Sequence, residues 1–88
     1  MIKRYKHKKY NLIIQAEKFK KGMEDRIEYK KFLFLNIKKY YILITLPVLE
    51  HIMINKNDII VTKENKKRIF KMVYPKKDFR KLFEEIKE

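Results

Sequence analysis

Apolar residues recur at every second position through most of this chain, which is the spacing of a half-buried β-strand. The alternation is clear over 10–17 and again over 67–74. β-Branched and aromatic residues fill 38–46, and two shorter apolar runs occupy 51–55 and 58–62. These residue types favour strands. The pattern therefore predicts five or six short strands.

The stretch RIEYKKFLFLNI breaks this regularity because its apolar residues change phase. Ile27 and Tyr29 follow one alternation, whereas Phe32 and Phe34 follow the other. A β-bulge between the two pairs would reconcile them. A short helix over 24–31 is the alternative, and both interpretations stay open at this point.

Helical spacing replaces the alternation after Pro75, a residue that suits a first helical turn because it has no amide hydrogen to leave unsatisfied. Four apolar residues recur at the i, i+3, i+4, i+7 positions of one stripe: Phe79, Leu82, Phe83 and Ile86. This predicts an amphipathic helix over 76–88 that covers the sheet. Docking of the stripe onto a partner, or onto a second copy in a homodimer, is the alternative.

These elements predict one α+β domain over 1–88. We expect a small, strongly curled, mostly antiparallel sheet, or a partly open barrel of five or six strands, with one C-terminal helix. Long helical crossovers are missing from the pattern, so neighbouring strands should run antiparallel. Residues 1–9 are interpreted as a basic arm or an edge strand guarded by lysines. Gly22, the only glycine, is predicted at a turn with positive φ.

Charge changes this picture, because 24 basic residues against 11 acidic ones give the chain a net charge of +13. A field of this strength favours anionic partners such as nucleic acid. A chain rich in Lys, Ile, Asn, Phe and Tyr is also what an AT-rich genome encodes, so both origins of the charge stay open. Only four of the basic residues are arginine, which argues against bidentate readout of phosphate or guanine.

The candidate contact residues lie in two charged segments and beside aromatic side chains. The basic candidates are Lys3, Arg4, Lys6, Lys8 and Lys9 at the start, and Lys63, Lys66, Lys67 and Arg68 at the tip of a predicted hairpin. Single-strand binders combine such charge with stacking rings. The candidate rings are Tyr5, Tyr10, Tyr40 and Tyr41.

Catalytic chemistry has few residues to draw on. The chain has no cysteine and no serine, and one glycine cannot build a phosphate-binding loop. His7 and His51 are far apart and lack companions at ligand spacing. We expect no enzyme, no metal site and no cofactor. No window reaches the length of a membrane span, so a membrane partner is not expected either.

Three segments, in order, resemble the small phage and prophage proteins named for a Pro-Gly-Asp-Tyr-Gly (PGDYG) motif. The matching positions of the first segment are Tyr5, Lys8, Lys9, Ala16, Phe19 and Gly22 to Asp25. Those of the second and third are Leu49, Glu50, Asn57 to Ile60, Phe79, Lys81, Phe83 and Glu84. The motif glycine of the family is Asn57 here, and its next turn is replaced by KENKKR. Asparagine tolerates the left-handed backbone region better than other non-glycine residues, so Asn57 and Asn65 are expected to keep these turns. No ligand is carried over.

The resemblance implies a phage or mobile-element gene whose product acts in the cytoplasm of an infected or lysogenic bacterial host. It suggests a non-enzymatic host-defence antagonist, either an anti-CRISPR-type inhibitor of a nucleic-acid-guided nuclease or a protein that sequesters an anionic nucleotide signal. The expected partner is then a host defence protein or ribonucleoprotein, or that nucleotide. The alternatives are a nonspecific DNA- or RNA-binding accessory protein and a structural protein that dimerises through its C-terminal helix.

Overall fold

The computed structural model of the chain describes residues 2–65 and 68–87, apart from the side chain of Asn65. Antiparallel strands in two sheets make up most of it, with one short helix. In chain order the elements are β1 (Lys3–His7), β2 (Ile13–Lys18), β3 (Arg26–Phe32), β4 (Leu35–Ile44), β5 (Glu50–Ile54), β6 (Ile59–Asn65), β7 (Arg68–Tyr74), α1 (Lys76–Leu82) and β8 (Phe83–Glu85).

The large sheet has the strand order β7-β6-β2-β1-β8, and the small sheet has the order β3-β4-β5. All pairs of neighbouring strands are antiparallel, which confirms that part of the prediction. The prediction of one curled sheet or partly open barrel is wrong, because the strands divide between two open sheets. The protein is mostly β, with a single short helix among its described residues.

The phase change in RIEYKKFLFLNI marks a hairpin turn. Phe32 pairs with Leu35, so Leu33 and Phe34 alone connect β3 to β4. Phe32 and its cross-strand partner Leu35 lie on the face opposite to Ile27 and Tyr29, so the change of phase reflects an apolar pair on the other face at the end of the hairpin. Neither the bulge nor the helix predicted there is present.

The C-terminal helix is shorter than predicted. It ends at Leu82, and Phe83 has extended backbone with φ −127° and ψ 150°. β8 then pairs with β1, and the Ile86 amide donates a hydrogen bond of 3.0 Å to the Arg4 carbonyl. Pairing with the sheet satisfies the backbone of this segment as well as a further helical turn would, so tertiary context overrides the helical spacing.

Strand β1 is neither an arm nor an edge strand. It pairs with β2 on one side and with β8 on the other, so its backbone lies inside the large sheet. The interpretation of residues 1–9 as an arm or edge is therefore corrected. The outer positions of the large sheet belong to β7 and β8.

Two apolar clusters hold these layers together. The first lies between the large sheet and α1 and contains Ile14, Ala16, Ile59, Val61, Phe79 and Phe83. The second lies between the two sheets and contains Phe19, Ile42, Ile44, Ile54 and Ile60. Consecutive residues of a strand point to opposite faces. Strand β6 therefore supplies both clusters, with Ile59 and Val61 on one side and Ile60 on the other.

Hydrogen bonds add a seam between the two sheets where β4 ends. The Thr45 amide donates to the Lys71 carbonyl at 2.9 Å, and the Lys71 amide donates to Thr45 Oγ1 at 2.7 Å. Two turns also have the backbone predicted for them, since Gly22 has φ 105° and Asn57 has φ 77°. Within the described residues, no helix is long and apolar enough to cross a membrane.

Truncation of Ile42 should destabilise the fold severely, because this side chain has 0% exposure at the centre of the second cluster. We expect Ile42→Ala to lower the free energy of unfolding by about 2–5 kcal/mol, measured by chemical denaturation. Ile37→Ala is the matched control, since Ile37 lies on the same strand with 41% exposure and should cost about 0.5 kcal/mol or less. Equal losses for the two variants would contradict this description of the core.

Candidate functional site

The basic residues predicted near the N-terminus do not share one surface. Lys3 pairs with Ala16 in the sheet register and Lys6 with Ile13, which places the two lysines on opposite faces. Lys3 Nζ lies 3.1 Å from a carboxylate oxygen of Glu85. Glu85 raises the pKa of Lys3, because it accepts a hydrogen bond from the ammonium group and carries the opposite charge.

The other predicted bases of this region are also dispersed. Arg4 shares a face with Lys6 rather than with Lys3, since it pairs with Gln15. Lys8 Nζ donates a hydrogen bond of 2.7 Å to the Arg80 carbonyl. Lys9 Nζ lies 5.9 Å from the centroid of the Tyr10 ring. These charges are thus dispersed around β1 and do not form one patch.

The predicted hairpin tip is described only in part. Lys63 Nζ donates to the Ile13 carbonyl at 3.1 Å, so this ammonium group has a partner within the fold. Arg68 is exposed at the start of β7. Lys66 and Lys67 lie outside the described residues, and a cationic contact surface at this tip stays a prediction.

The four candidate tyrosines have four different environments. Tyr5 packs edge-on against Phe79 at 4.8 Å, so its ring belongs to the core. Tyr10 is exposed and lies 4.8 Å from the His7 ring. Tyr40 and Tyr41 are neighbours on β4 and therefore face opposite sides of the small sheet. They cannot form one stacking platform.

The stripe predicted as an interaction helix is mostly unavailable for docking. Phe79 and Phe83 are buried and their rings stack at 5.0 Å. Leu82 is partly exposed, and Ile86 follows β8 rather than a helix. The predicted role of this stripe in covering the sheet is confirmed for Phe79 and Phe83.

The structure presents a feature that the sequence did not predict, a two-stranded ribbon that projects from the small sheet. β5 pairs with β4 only as far as Tyr40, which lies opposite Ile54. Beyond that point β4 has β3 as its neighbour, and no strand of the described residues lies on its other side. The five residue steps from Tyr40 to Leu35 extend the ribbon by roughly 17 Å.

The two faces of this ribbon differ in the charged groups that they carry. Cross-strand partners share a face, so one face carries the pairs Tyr29–Lys38, Lys31–Asn36 and Ile27–Tyr40. We call it the lysine–tyrosine face. Lys38 Nζ lies 5.7 Å from the Tyr29 ring centroid, a cation–π distance. None of these residues is acidic.

The opposite face carries the carboxylate of the ribbon. Glu28 forms an ion pair with Arg26, whose guanidinium carbon lies 5.0 Å from the Tyr41 ring centroid. A hydrogen bond from the Tyr41 hydroxyl lowers the pKa of Glu28, with a smaller contribution from Arg26. The same hydrogen bond raises the pKa of Tyr41. The acidic side chain is therefore occupied and lies away from the lysine–tyrosine face.

An open cleft of about 460 Å³ lies at the base of the lysine–tyrosine face. Lys18, Lys20, Lys21 and Lys56 line it, with the Phe19 and Tyr40 rings at its floor. Its walls are the turn after β2 and the turn between β5 and β6. The Phe19 amide donates to the Asp58 carbonyl at 2.8 Å and holds the two turns together. None of the described residues that line this cleft is acidic.

The nearby carboxylates are directed to backbone amides. Glu24 accepts from the Gly22 amide at 2.6 Å, Asp25 from the Leu43 amide at 2.7 Å, and Asp58 from the Asn55 amide at 2.9 Å. None of the four cleft lysines joins an ion pair formed by the described residues. No ion pair among the described residues therefore neutralises the positive charge of the cleft.

The cleft and the ribbon form one continuous surface, because Tyr40 belongs to both. Residues at every second position of a strand lie roughly 6.6 Å apart on one face. Tyr40 is thus followed along β4 by Lys38, with Tyr29 beside it. We call this surface, from the four cleft lysines through Tyr40, Lys38 and Tyr29 to Lys31, the basic track.

A second cleft, of about 390 Å³, lies between the large sheet and α1. It is lined by basic residues that include Lys76 and Arg80, and also by Glu17 and Glu85. Two carboxylates offset much of its charge, and one of them already holds Lys3. The positive charge of this cleft is therefore more fully opposed than that of the basic track.

Of the sequence-predicted candidates that the structure describes, Tyr40 alone belongs to the basic track. The lysines escaped prediction because Lys18, Lys20 and Lys21 are separated from Lys56 by most of the small sheet. A general surplus of lysine also hides any local cluster. The described residues contain no buried charged or polar side chain and no group of three or more His, Cys, Asp or Glu that could hold a metal ion.

No protein-family model matches the chain, and no curated protein or solved structure is significantly similar to it.

Replacement of Glu28 by Gln should lower the pKa of Tyr41 toward its ordinary value of 10.0, because the variant removes the carboxylate that accepts the phenol proton. NMR titration of the Tyr41 ring measures this shift. Glu50→Gln is the control and should leave the titration of Tyr41 unchanged. An unchanged Tyr41 titration in Glu28→Gln would contradict the hydrogen bond.

Stability should follow pH in a direction set by the same pair. The lowered pKa of Glu28 means that its contribution is present above the ordinary carboxyl pKa of 4.5 and is lost as pH falls through the lowered value. The raised pKa of Tyr41 means that its contribution is lost as pH rises through the raised value. Glu28→Gln should weaken both dependences, as measured by denaturation across pH.

Proposed function

We propose that the protein is a non-enzymatic binding protein for single-stranded nucleic acid, which lies along the basic track. The observation that carries this proposal is the continuity of the track, in which lysines alternate with the Tyr40 and Tyr29 rings and no carboxylate intervenes. Proteins that bind single strands combine a cationic path for the backbone with aromatic rings on which bases stack.

The residue types also favour recognition without sequence preference. Every cation of the track is a lysine, and lysine acts as a point charge on a flexible stem. Bidentate reading of a base edge would call for arginine. Stacking on Tyr29 and Tyr40 tolerates any base, since each base offers a π face. The track therefore suits the backbone and the stacked bases of an unpaired strand.

A host-defence antagonist that sequesters an anionic nucleotide is the second candidate function. The cleft favours it, because a volume of about 460 Å³ falls within the range of roughly 300–1,000 Å³ typical of small-molecule sites. Four lysines would meet the phosphates and Tyr40 would meet the base. The guide RNA of a nuclease complex would instead lie along the whole track. Single-strand binding would in that case serve the host-defence role that the PGDYG resemblance implies.

Removal of track lysines should weaken binding and reduce its dependence on salt. Lys31→Gln/Lys38→Gln removes two charges from the lysine–tyrosine face, so the slope of log K against log salt should fall in magnitude by about 1.4, at roughly 0.7 per phosphate contact. Fluorescence anisotropy with labelled oligo(dT) and oligo(U) across salt concentrations measures this slope.

The matched control is Lys30→Gln/Lys39→Gln, which changes the net charge equally on the same two strands but on the opposite face. It should keep the wild-type slope. Equal losses in the two double variants would show a diffuse charge effect and no track. Absence of any binding at low salt would exclude the first candidate, and calorimetry with mononucleotides and cyclic oligonucleotides would then test the second.

Removal of a stacking ring should weaken binding without changing the salt slope. Tyr29→Leu should cost about 1–3 kcal/mol of binding free energy, because Tyr29 is 68% exposed and its ring is available to a base. Tyr10→Leu is the control, since Tyr10 is similarly exposed at 61% but lies off the track. A larger loss for Tyr10→Leu would place the stacking site elsewhere.

A further inference from the structure

The end of the ribbon presents an apolar surface to solvent. Phe32, Leu33, Phe34 and Leu35 are consecutive and all exposed, and Phe34 is 99% exposed. We call these four residues the apolar tip. Exposed apolar clusters of this kind mark interaction sites more often than chance placement. No described residue covers this one, since four neighbouring side chains all keep most of their surface in solvent.

The turn itself is built from residues that fit it poorly. Leu33 has φ 56°, in the left-handed region that Gly and Asn adopt far more readily. A two-residue hairpin turn with positive φ only at its first central position favours glycine there. Leu33-Phe34 therefore places two apolar side chains at the tip at the expense of turn geometry. Strain held in such a segment points to a role in binding.

The charges around the tip indicate the kind of partner. Residues 29–39 contain four lysines and no acidic residue, so the tip lies within a uniformly cationic segment. Lys30 and Lys31 precede it on opposite faces of β3. An anionic partner that also offers an apolar surface fits this arrangement. The stacked bases of a nucleic acid, exposed where its phosphate backbones diverge, provide both.

We propose that the apolar tip is a wedge for the junction between single-stranded and double-stranded nucleic acid. The unpaired strand lies on the basic track, and the tip stacks on the terminal base pair where that track ends. Apolar side chains of other proteins insert between base steps in the same way. The wedge deepens the proposed function and rests on it, because the track delivers the junction to the tip.

Continuity favours nucleic acid over an anionic membrane. Lys38 and Tyr29 lie behind the tip along the side of the ribbon, and the cleft lysines lie farther back. A planar bilayer approached by the tip would leave the cleft lysines in solvent. A strand that follows the ribbon contacts the track and then the turn residues of the tip, Leu33 and Phe34, whereas Phe32 and Leu35 lie on the opposite face.

The test compares a forked DNA with a single strand and a blunt duplex, each with 2-aminopurine at the position equivalent to the last base pair of the fork. Wild-type protein should bind the fork about tenfold more tightly than the single strand, in line with the stacking of one base. Fluorescence of the 2-aminopurine should change on binding, because the wedge replaces or disrupts its stacking.

The variant Leu33→Gly/Phe34→Asn removes the wedge and places glycine at the position with positive φ, so the hairpin should keep or gain thermal stability. It should lose the preference for the fork and keep single-strand affinity within about twofold, since the track is intact. Phe34→Ser, which keeps Leu33, should reduce the preference in the same direction. Circular dichroism confirms that both variants are folded.

Other outcomes overturn the wedge. Wild-type binding to single strands without fork preference would remove the wedge and leave the proposed function intact, whereas no nucleic-acid binding at all would remove both. Binding to phosphatidylserine vesicles that the double variant loses would assign the tip to membranes. A wild-type dimer in sedimentation equilibrium that the double variant lacks would assign the tip to a second copy.

Discussion

The packing of Ile42, Ile44 and Ile54 against Phe19 and Ile60 is the contact on which the rest of the structure depends. It attaches the small sheet to the large one by burying the inner half of β4. The inner half of β4 is packed in this cluster and paired with β5. Its outer half can therefore extend into solvent as an ordered ribbon. The same contact brings the turn after β2 beside the turn before β6. This entirely apolar cluster thus positions the lysines of the cleft.

A surplus of lysine becomes a directed surface through the placement of the few acidic residues. Glu24, Asp25 and Asp58 each accept a hydrogen bond from a backbone amide, and Glu28 is held by Arg26 on the far face of the ribbon. Carboxylates used in this way hold the backbone and form no ion pair with the cleft lysines among the described residues. The net charge of +13 states how much positive charge exists, whereas these contacts determine where it remains accessible.

Local patterns predicted what local physics controls. Alternation identified most strands, and the backbone freedom of Gly22 and Asn57 identified two turns. The predictions that were wrong depended on strand pairing between residues distant in the sequence. Phe83 has helical spacing yet joins a strand, because the edge of β1 offers it partners from the other end of the chain. The residues of the basic track are likewise distant from one another in the sequence. Only Tyr40 among them was predicted, because it follows two lysines.

Strand register constrains how this ribbon can vary in length. Removal of one cross-strand pair, one residue from each strand, would turn every residue beyond it to the opposite face. Lys31 would then lie on the same face as Glu28. Gain or loss of two such pairs would instead leave every residue on its present face. Insertions and deletions in relatives of this protein should therefore accumulate in the ribbon in multiples of four residues. Length variation in this segment would then be a record of which face is under selection.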